Sequence, residues 1–210
     1  MKKNNFLNRF NNDIRNIIFD LGGVIINVDY RKTESAFRNL GISDFDKVFS
    51  QVQQAKIVDK LEVGDISPAE FRKSLREMCG INIADNIIDD AWNAMILDFP
   101  SDRIAVLNKL RSSYKIFLLS NTNEIHIDYC LRNLNFEEIK SGFDKVYLSH
   151  EIGMRKPNVK TYEFVLSDAQ LQASQTLFID DTIKNIEGAQ LAGLNAYHIT
   201  NSETINDLFG

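Results

Sequence analysis

The sequence predicts an α/β protein with a doubly wound parallel sheet and a block of helices inserted after the first strand. Short apolar strands alternate with helical segments through the second half of the chain, which is the pattern of parallel β-α-β units. The region between the first strand and that half carries only helical spacing. We therefore expect a core of residues 14–30 and 100–210, an N-terminal arm of residues 1–13, and a helical insert of residues 31–99 that is either one oversized crossover or a separate cap.

The composition is that of an ordinary globular protein. Of the 210 residues, 44% are hydrophobic and 25% are charged, which suits one large domain or a core with a smaller insert. The formal net charge is −5, and no cluster of Lys and Arg offers a footprint for nucleic acid. An acidic protein can still hold a small anion in one locally basic pocket, so small phosphates stay among the candidate ligands.

Neither the ends of the chain nor the cysteines indicate a membrane or an oxidising compartment. The first 13 residues are polar and lack the apolar segment of a signal peptide, and no run reaches the length of a membrane span. Cys79 and Cys130 lie far apart and match no metal-binding spacing, which is typical of reduced thiols. We expect a soluble, cytoplasmic protein without nucleic-acid or membrane partners; the sequence specifies no oligomeric state.

The first strand is predicted at residues 14–20, an apolar run that ends in a carboxylate and paired glycines. Such a run, bounded by turn residues, is typical of a strand buried in a parallel sheet. Asp20 would therefore lie at the carboxyl edge of the sheet, where open α/β folds bind their ligands. Gly22 and Gly23 allow the backbone to turn sharply and to approach whatever Asp20 contacts.

The cap is predicted to contain four helices. Ala36, Phe37 and Leu40 share one helical face, and residues 45–52 form a second apolar face. Ser67 to Glu70 reads as a capping box with proline at the first helical position, and a fourth helix is expected at residues 84–97.

The second half of the chain alternates regularly between strands and helices. The predicted strands are residues 115–120, 145–149, 176–180 and 196–199. The predicted helices are residues 104–110, 124–134, 161–171 and 182–191.

Groups capable of chemistry follow the ends of these strands. Ser120 ends the second strand, Lys156 follows the third, and Asp180 and Asp181 end the fourth. Because the carboxyl ends of parallel strands lie at the same edge of a sheet, we expect these groups to converge with Asp20 in one crevice.

The converging groups suit a phosphate ester and a magnesium ion. Asp20, Asp180 and Asp181 would repel one another unless a cation lay among them, and hard carboxylate oxygens suit Mg²⁺. Ser120 and the backbone N–H groups after it can bind an anion, while Lys156 can bind phosphate or neutralise Asp20. Taken singly, a serine or an Asp-Asp pair before a helix is ordinarily a cap, and a lysine before proline is ordinarily a solvated charge.

The order Asp20, Ser120, Lys156, Asp180-Asp181 resembles that of the haloacid dehalogenase-like superfamily of phosphohydrolases over nearly the whole chain. The sequences of the motifs at residues 19–24, 119–123, 153–157 and 180–189 are similar to the motifs of the bacterial sugar-phosphatase branch that includes α-D-glucose-1-phosphate phosphatase. The resemblance implies a Rossmann-like core with an α-helical cap inserted after the first strand.

The resemblance also implies roles for individual residues. Asp20 would be the nucleophile that becomes an aspartyl-phosphate, Ser120 would bind the phosphoryl oxygens, and Lys156 would hold phosphate and nucleophile together. Asn121 is expected to contact the substrate as well. Mg²⁺ would be bound by Asp20, the backbone carbonyl of Gly22 and Asp181, with Asp180 bound directly or through water.

One position departs from the superfamily pattern. Most superfamily phosphatases have a second Asp two residues after the nucleophile, which protonates the leaving group and later activates water. Here that position is Gly22, and loss of a general acid/base commonly lowers rates by roughly 10² to 10⁴. The glucose-1-phosphatase branch shares the Asp-Leu-Gly pattern. Asp29 is a candidate for the missing proton donor.

We expect a Mg²⁺-dependent phosphatase that acts on a small phosphorylated metabolite, such as the sugar phosphate glucose 1-phosphate. The alternatives are a metal-independent 2-haloacid dehalogenase and a non-catalytic protein that binds phosphometabolites. Specificity would belong to the cap, where the candidate side chains are Arg31, Gln54, Lys56 and Trp92.

Overall fold

The structure, a computed structural model, describes residues 6–10, 13–42, 56–80, 82–200 and 202–210. The helix predicted over residues 45–52 and the candidate cap residue Gln54 lie outside the described residues. Within these ranges, no helix combines the length and apolar character that a membrane span requires.

The core is a five-stranded parallel sheet, which confirms the predicted doubly wound α/β fold. The strands are β1 (Asn16–Phe19), β2 (Lys115–Ser120), β3 (Lys145–Leu148), β4 (Thr176–Asp180) and β5 (Asn195–His198). Their order is β3-β2-β1-β4-β5, so β1 occupies the centre. Phe19 pairs with Leu118 on one side and with Ile179 on the other. Asp20 therefore emerges between the ends of β2 and β4.

Helices surround the sheet and form the insert after β1. The insert contains α1 (Tyr30–Asn39), α2 (Ile57–Glu62), α3 (Pro68–Cys79) and α4 (Asp85–Asn93). The remaining helices are α5 (Ser101–Leu110), α6 (Glu124–Asn133), α7 (Phe136–Lys140), α8 (Ser149–Ile152), α9 (Val159–Asp168), α10 (Ile183–Leu191) and α11 (Ile205–Phe209). Short 3₁₀ turns occur at Leu7–Arg9 and Ala173–Gln175.

Alternate residues of the strands pack on opposite faces of the sheet. Ile17 and Phe19 belong to an apolar cluster that includes residues of α5, α6 and α11. Ile18 belongs to a second cluster with residues of α9 and α10. Both faces are therefore covered, which explains why the strands are continuous apolar runs.

The helices of the insert form a third apolar cluster of their own. Phe71 and Trp92 lie at its centre with ring centroids 4.9 Å apart, and Ile125 of α6 is the buried residue that joins it from the core. The predicted capping box is confirmed: Glu70 N donates to Ser67 Oγ at 3.3 Å, and Ser67 N donates to Glu70 Oε2 at 2.8 Å.

Several predicted boundaries differ from the structure because residues distant in sequence pair with each other. The helix predicted to reach residue 97 ends at Asn93, since Ile96 forms a bridge with Val28 and Leu97 N donates to Asn27 O at 3.0 Å. The strand predicted to reach residue 149 ends at Leu148, where α8 begins. The short helices α2, α7 and α11 were not predicted.

The described part of the N-terminal arm, residues 6–10, is not loosely attached. Phe6 and Leu7 are buried in the main core, and the Phe6 ring meets Tyr197 and Phe209 edge-on at centroid distances of 4.8 and 5.3 Å. The aromatic contacts join this segment to the C-terminal helix, which a local pattern cannot reveal.

A glycine in α10 allows that helix to pack against the loop that follows α8. A Cβ atom on Gly188 would lie 2.3 Å from the carbonyl oxygen of Pro157 and 3.0 Å from the Tyr162 ring. Because the nearest atom belongs to the backbone, it cannot move aside as a side chain would. Gly188 therefore sets the distance between α10 and the loop of Lys156 and Pro157.

We expect Gly188→Ala to lower the free energy of unfolding by about 1–3 kcal/mol, because the added methyl group overpacks this contact. Urea unfolding would measure the change. Glu187→Ala, at an exposed neighbouring position of the same helix, is the matched control and should change stability by less than about 0.5 kcal/mol. Equal stability of Gly188→Ala and the parent would contradict the close approach.

Candidate active site

A buried lysine connects two carboxylates at the carboxyl edge of the sheet. The Nζ atom of Lys156 lies 2.7 Å from Asp20 Oδ1 and 2.6 Å from Asp180 Oδ2. Lys156 is 1% exposed and its ammonium also lies 5.3 Å from the centre of the Phe178 ring. The structure thus brings together three residues that are far apart in the sequence, as the strand order predicted.

The loop that carries Lys156 is held by side chains from two neighbouring elements. The amide of Asn121 donates to Lys156 O and accepts from Lys156 N, both at 2.9 Å. Thr161 Oγ1 donates to the carbonyl of Arg155 at 2.9 Å. Asn121 was expected to contact substrate; in the structure its side-chain amide positions the backbone of Lys156.

Asp180 is completely buried and fully hydrogen-bonded. Its Oδ1 accepts from Thr182 N at 2.8 Å, and Asn185 Nδ2 donates to both oxygens at 3.0 Å. With Lys156 on Oδ2, each oxygen has two donors, and these contacts compensate the desolvation of a buried carboxylate. Asn185 was not singled out in the sequence, where it reads as an ordinary residue of the α10 pattern.

One carboxylate oxygen of Asp20, Oδ1, is bonded to groups of the protein, and the other, Oδ2, is less constrained. Its Oδ1 accepts from Leu21 N at 2.7 Å in addition to the Lys156 contact. Burial raises the pKa of Asp20 from 3.8 to about 7; Lys156 opposes this rise, and the charges of Asp180 and Asp181 add to it. The Lys156 pKa is also raised, because the two carboxylates outweigh the effect of burial. One ammonium therefore does not balance all the negative charge of the site.

Asp181 completes a group of three carboxylates suited to a metal ion. One ligand oxygen from each of Asp20, Asp180 and Asp181 lies within 4.8 Å of the others. Gly23 has a φ of +73°, and a Cβ atom there would lie 2.2 Å from Asp181 Oδ2, so glycine is needed for this approach. His198 contacts the Asp181 carbonyl oxygen through Nε2 at 2.9 Å.

The donor set fits a hard divalent cation. All three groups are carboxylates, the ligand type that Mg²⁺ prefers. Burial and the neighbouring Asp180 raise the pKa of Asp181 as well as that of Asp20, which means that both sites favour an added positive charge. A bound cation would supply it. Among the three, Asp180 is already saturated with donors, so Asp20 and Asp181 are the more available ligands.

The backbone conformation at position 22 does not require glycine. Its φ lies outside the left-handed region, and among the described residues an added Cβ would meet only Val28 Cγ1, at 3.9 Å. The absence of a side chain at this position is therefore a chemical feature of the site and not a steric requirement.

Asp29 has a structural role at the start of α1. Its Oδ1 accepts from Arg31 N at 3.1 Å as the N-cap, and its carboxylate pairs with the Arg31 side chain at 3.0 Å. Hydrogen bonding to Arg31 lowers the pKa of Asp29. A carboxylate that caps a helix, forms an ion pair and has a lowered pKa is poorly suited to donate a proton to a leaving group.

A cavity of about 400 Å³ lies between the insert and the edge of the sheet. Its lining residues among those described are Leu21, Gly22, Ile26, Val28, Tyr30, Arg31, Thr33, Glu34, Val58, Glu62, Trp92, Met95, Ile96, Ser120, Asn121, Thr122, His126, Ile127 and Cys130. A larger cavity, of about 870 Å³, opens at the opposite edge beside Arg15 and Lys115. Because it contains none of the predicted site residues, we assign the ligand to the smaller cavity.

The predicted cap residues have different positions. Trp92 lines the cavity and stacks on His126, with ring centroids 5.3 Å apart and planes 5° from parallel. Burial lowers the pKa of His126 to about 3, so the ring is neutral and its Nδ1 pairs with Asn93 Oδ1 at 2.8 Å. Arg31 lines the cavity but is bound to Asp29, and Lys56 is an exposed residue before α2 that does not line the cavity.

Two further residues of this region, Glu62 and Arg155, were assigned no role from the sequence. Glu62, the last residue of α2, lines the cavity, and its carboxylate Oε2 lies 2.9 Å from Arg155 Nη2 as an ion pair without hydrogen-bond alignment. Burial raises the pKa of Glu62, while Arg155 opposes the rise. The position of Arg155 next to Lys156 was the one signal in the sequence that could have pointed to it. Its partner Glu62 is evident only in the folded structure.

Comparison with known proteins identifies the family and a relative of nearly equal length. Residues 14–193 match the family of haloacid dehalogenase-like hydrolases. D-ribitol-5-phosphate phosphatase of Bacteroides thetaiotaomicron is 34% identical over 191 residues, which cover 90% of this chain and 93% of that protein.

Solved structures agree with the sequence match. The haloacid dehalogenase (HAD) family enzyme BT-2542 of B. thetaiotaomicron, in complex with magnesium and inorganic phosphate, is 37% identical with a TM-score of 0.86, and the match covers 94% of this chain and 100% of that one. A HAD-like family hydrolase from Porphyromonas gingivalis is 32% identical with a TM-score of 0.82, covering 91% of this chain and 93% of that one.

We expect the contribution of Asp20 to the stability of the metal-free protein to fall as the pH rises from about 4 to 7, while the lowered pKa of His126 has the opposite effect over much of the same range. The folded-state pKa of Asp20, about 7, lies above its ordinary value of 3.8, so the folded state binds this proton more tightly than the unfolded chain. Raising the pH through this window removes that advantage. Thermal unfolding in EDTA at several pH values would measure the effect.

The control for this pH dependence is Asp20→Asn, which removes the titrating group and leaves the others. The difference in melting temperature between parent and variant should change in favour of the variant as the pH rises. A difference that is constant from pH 4 to 8 would contradict the raised pKa of Asp20.

We expect Asn121→Ala to lower the free energy of unfolding by about 1–3 kcal/mol, because it leaves the buried N–H and C=O of Lys156 without partners. Urea unfolding measures the change. Asn133→Ala, at an exposed position of α6, is the control and should alter stability by less than about 0.5 kcal/mol. Similar values for both variants would contradict the positioning role.

Proposed function

Because this chain belongs to the haloacid dehalogenase-like hydrolase family, we propose that it is a Mg²⁺-dependent phosphatase acting on a small phosphorylated metabolite. The observation that carries this proposal is the contact of Lys156 with both Asp20 and Asp180 beside Asp181 at one edge of the sheet. The relatives support it, since one is a phosphatase of a sugar-alcohol phosphate and another was crystallised with magnesium and phosphate.

Asp20 is the proposed nucleophile. Its Oδ1 is held by Lys156 Nζ and Leu21 N, which leaves Oδ2 as the oxygen directed to chemistry. In the first step a bond forms between the carboxylate and phosphorus while the ester P–O bond breaks, giving an aspartyl-phosphate and an alkoxide, which takes a proton from water to leave as the alcohol. In the second step water attacks phosphorus, which releases phosphate and restores Asp20.

The remaining site residues bind the phosphoryl group and the metal. Ser120 and Lys156 would hold phosphoryl oxygens, and both side chains are almost fully buried. Asp20, the Gly22 carbonyl and Asp181 would hold Mg²⁺, with Asp180 in a supporting position because its oxygens already have donors. The bound metal would supply positive charge that reduces repulsion between the nucleophile and the phosphate. Asn121 would act through Lys156.

The leaving group would occupy the cavity beneath the insert. A volume of about 400 Å³ suits a small metabolite, and the helices at residues 31–99 would act as the cap over the core of residues 14–30 and 100–210. The likeness to the sugar-phosphatase branch and to the ribitol-phosphate enzyme favours sugar or polyol phosphates as substrates.

The test is a phosphate-release assay with D-ribitol 5-phosphate and glucose 1-phosphate in the presence of MgCl₂. We expect turnover that EDTA abolishes and that Asp20→Asn lowers at least about a thousandfold, because the variant lacks the nucleophile. Thermal unfolding of the variant would establish that it is folded.

Other outcomes distinguish the alternative functions. Halide release from 2-chloropropionate without a metal requirement would identify a dehalogenase. Stabilisation by sugar phosphates without any turnover would identify a binding protein. Asp20→Asn with most of the parental activity would exclude Asp20 as the nucleophile.

A further inference from the structure

Glu62 brings a carboxylate from the insert to the cavity that would hold the leaving group. It ends α2, and it lines the cavity together with Gly22, Ser120 and Asn121. Its side chain is 16% exposed, so it belongs to the cavity wall and not to the outer surface. The same cavity therefore has the phosphate-binding edge on one side and a carboxylate on the other.

The orientation of Glu62 is set by the residue next to the phosphate-binding lysine. Arg155 Nη2 lies 2.9 Å from Glu62 Oε2, and Arg155 Nη1 contacts Asp59 one turn earlier in α2. Oε2 is buried beside the guanidinium, and Glu62 as a residue lines the cavity. Arg155 precedes Lys156 directly, so the distance between Glu62 and the phosphate site is fixed through the backbone.

A close backbone contact also holds the end of α2. Gly64 has a φ of +73°, and a Cβ atom there would lie 2.7 Å from the carbonyl oxygen of His150 in α8. The turn after Glu62 thus packs directly on the core. Glu62 is anchored from both sides, by Arg155 and by this turn.

The charges around Glu62 do not cancel. One guanidinium, that of Arg155, faces two carboxylates, those of Asp59 and Glu62, which leaves one negative charge in excess. Arg31, a cation that also lines the cavity, is paired with Asp29, and Lys156 is paired with Asp20 and Asp180. Within the described part of the lining, no cation is left over to receive a second anion of the substrate.

We propose that Glu62 determines specificity by accepting hydrogen bonds from hydroxyl groups of an uncharged leaving group and by repelling leaving groups that carry a second phosphate or carboxylate. This inference rests on the proposed phosphatase function and names its substrate class: monophosphate esters of neutral, polyhydroxylated alcohols. A carboxylate accepts hydrogen bonds from hydroxyls strongly, and a like charge placed against it weakens binding.

The experiment measures binding in the Asp20→Asn background with MgCl₂, where the proposed chemistry is blocked. The probes are D-ribulose 5-phosphate and D-ribulose 1,5-bisphosphate, which share one carbon skeleton and differ only in the second phosphate. Calorimetry gives the ratio of their dissociation constants. We expect the monophosphate to bind at least about tenfold more tightly, and Glu62→Gln to reduce this ratio about tenfold by removing the charge while keeping the size.

Asp59→Asn is the matched control, because it removes the same charge from the same helix and the same arginine partner but does not line the cavity. The ratio should stay within about threefold of the parent value. An unchanged ratio in Glu62→Gln, or an equal change in Asp59→Asn, would overturn the role of Glu62.

The binding and turnover experiments can fail independently, so their outcomes distinguish the two proposals. If the parent protein releases no phosphate from any ester but the binding ratio responds to Glu62→Gln as expected, then the proposed phosphatase function fails and the selectivity of Glu62 stands. If phosphate release is observed and the ratio does not respond, the role of Glu62 alone fails. If neither ester binds, both proposals are overturned.

Discussion

The contact of one buried ammonium with two carboxylates is the interaction on which the site depends. Lys156 lies with Nζ 2.7 Å from Asp20 and 2.6 Å from Asp180, and neither charge type would be stable there alone. Burying such a cluster requires polar partners, which Asn121 provides from the segment after β2 and which Thr182 and Asn185 provide from the start of α10. The remaining excess of negative charge, from Asp181, is what makes the same edge of the sheet suitable for a divalent cation.

Three consecutive residues join this edge to the rest of the molecule. Arg155 forms ion pairs with α2 of the insert, Lys156 joins the carboxylates, and the Pro157 carbonyl lies against Gly188 of α10. The proposed leaving-group cavity and the proposed phosphate-binding edge therefore share one loop. A shift of that loop would change both at once, which would link substrate selection to the position of the Lys156 charge.

The backbone would permit a side chain at position 22, but this chain has glycine there. The superfamily pattern has an aspartate at this position, and among the described residues a Cβ atom would meet only Val28, at 3.9 Å. Asp29, the nearest alternative in sequence, is occupied as a helix cap and an ion-pair partner. In the proposed mechanism, the proton for the leaving alcohol therefore comes from outside the first strand and its turn, and a neutral, hydroxylated leaving group is consistent with such a site.

The sequence alone determined the fold class and which four of the five strands are followed by reactive groups. It also identified Asp20, Ser120, Lys156, Asp180 and Asp181 as the groups that converge. It did so because strand periodicity, glycine turns and the parallel alternation are local signals that fix which residues reach the same sheet edge. Only the tertiary structure decided the positioning role of Asn121, the capping role of Asp29, the burial of Phe6, and the pairing of Glu62 with Arg155. Each of these depends on a partner that folding brings close. Glu62 and Arg155 are separated by the second half of the insert and by residues 100–154 of the core, and no local pattern encodes their contact.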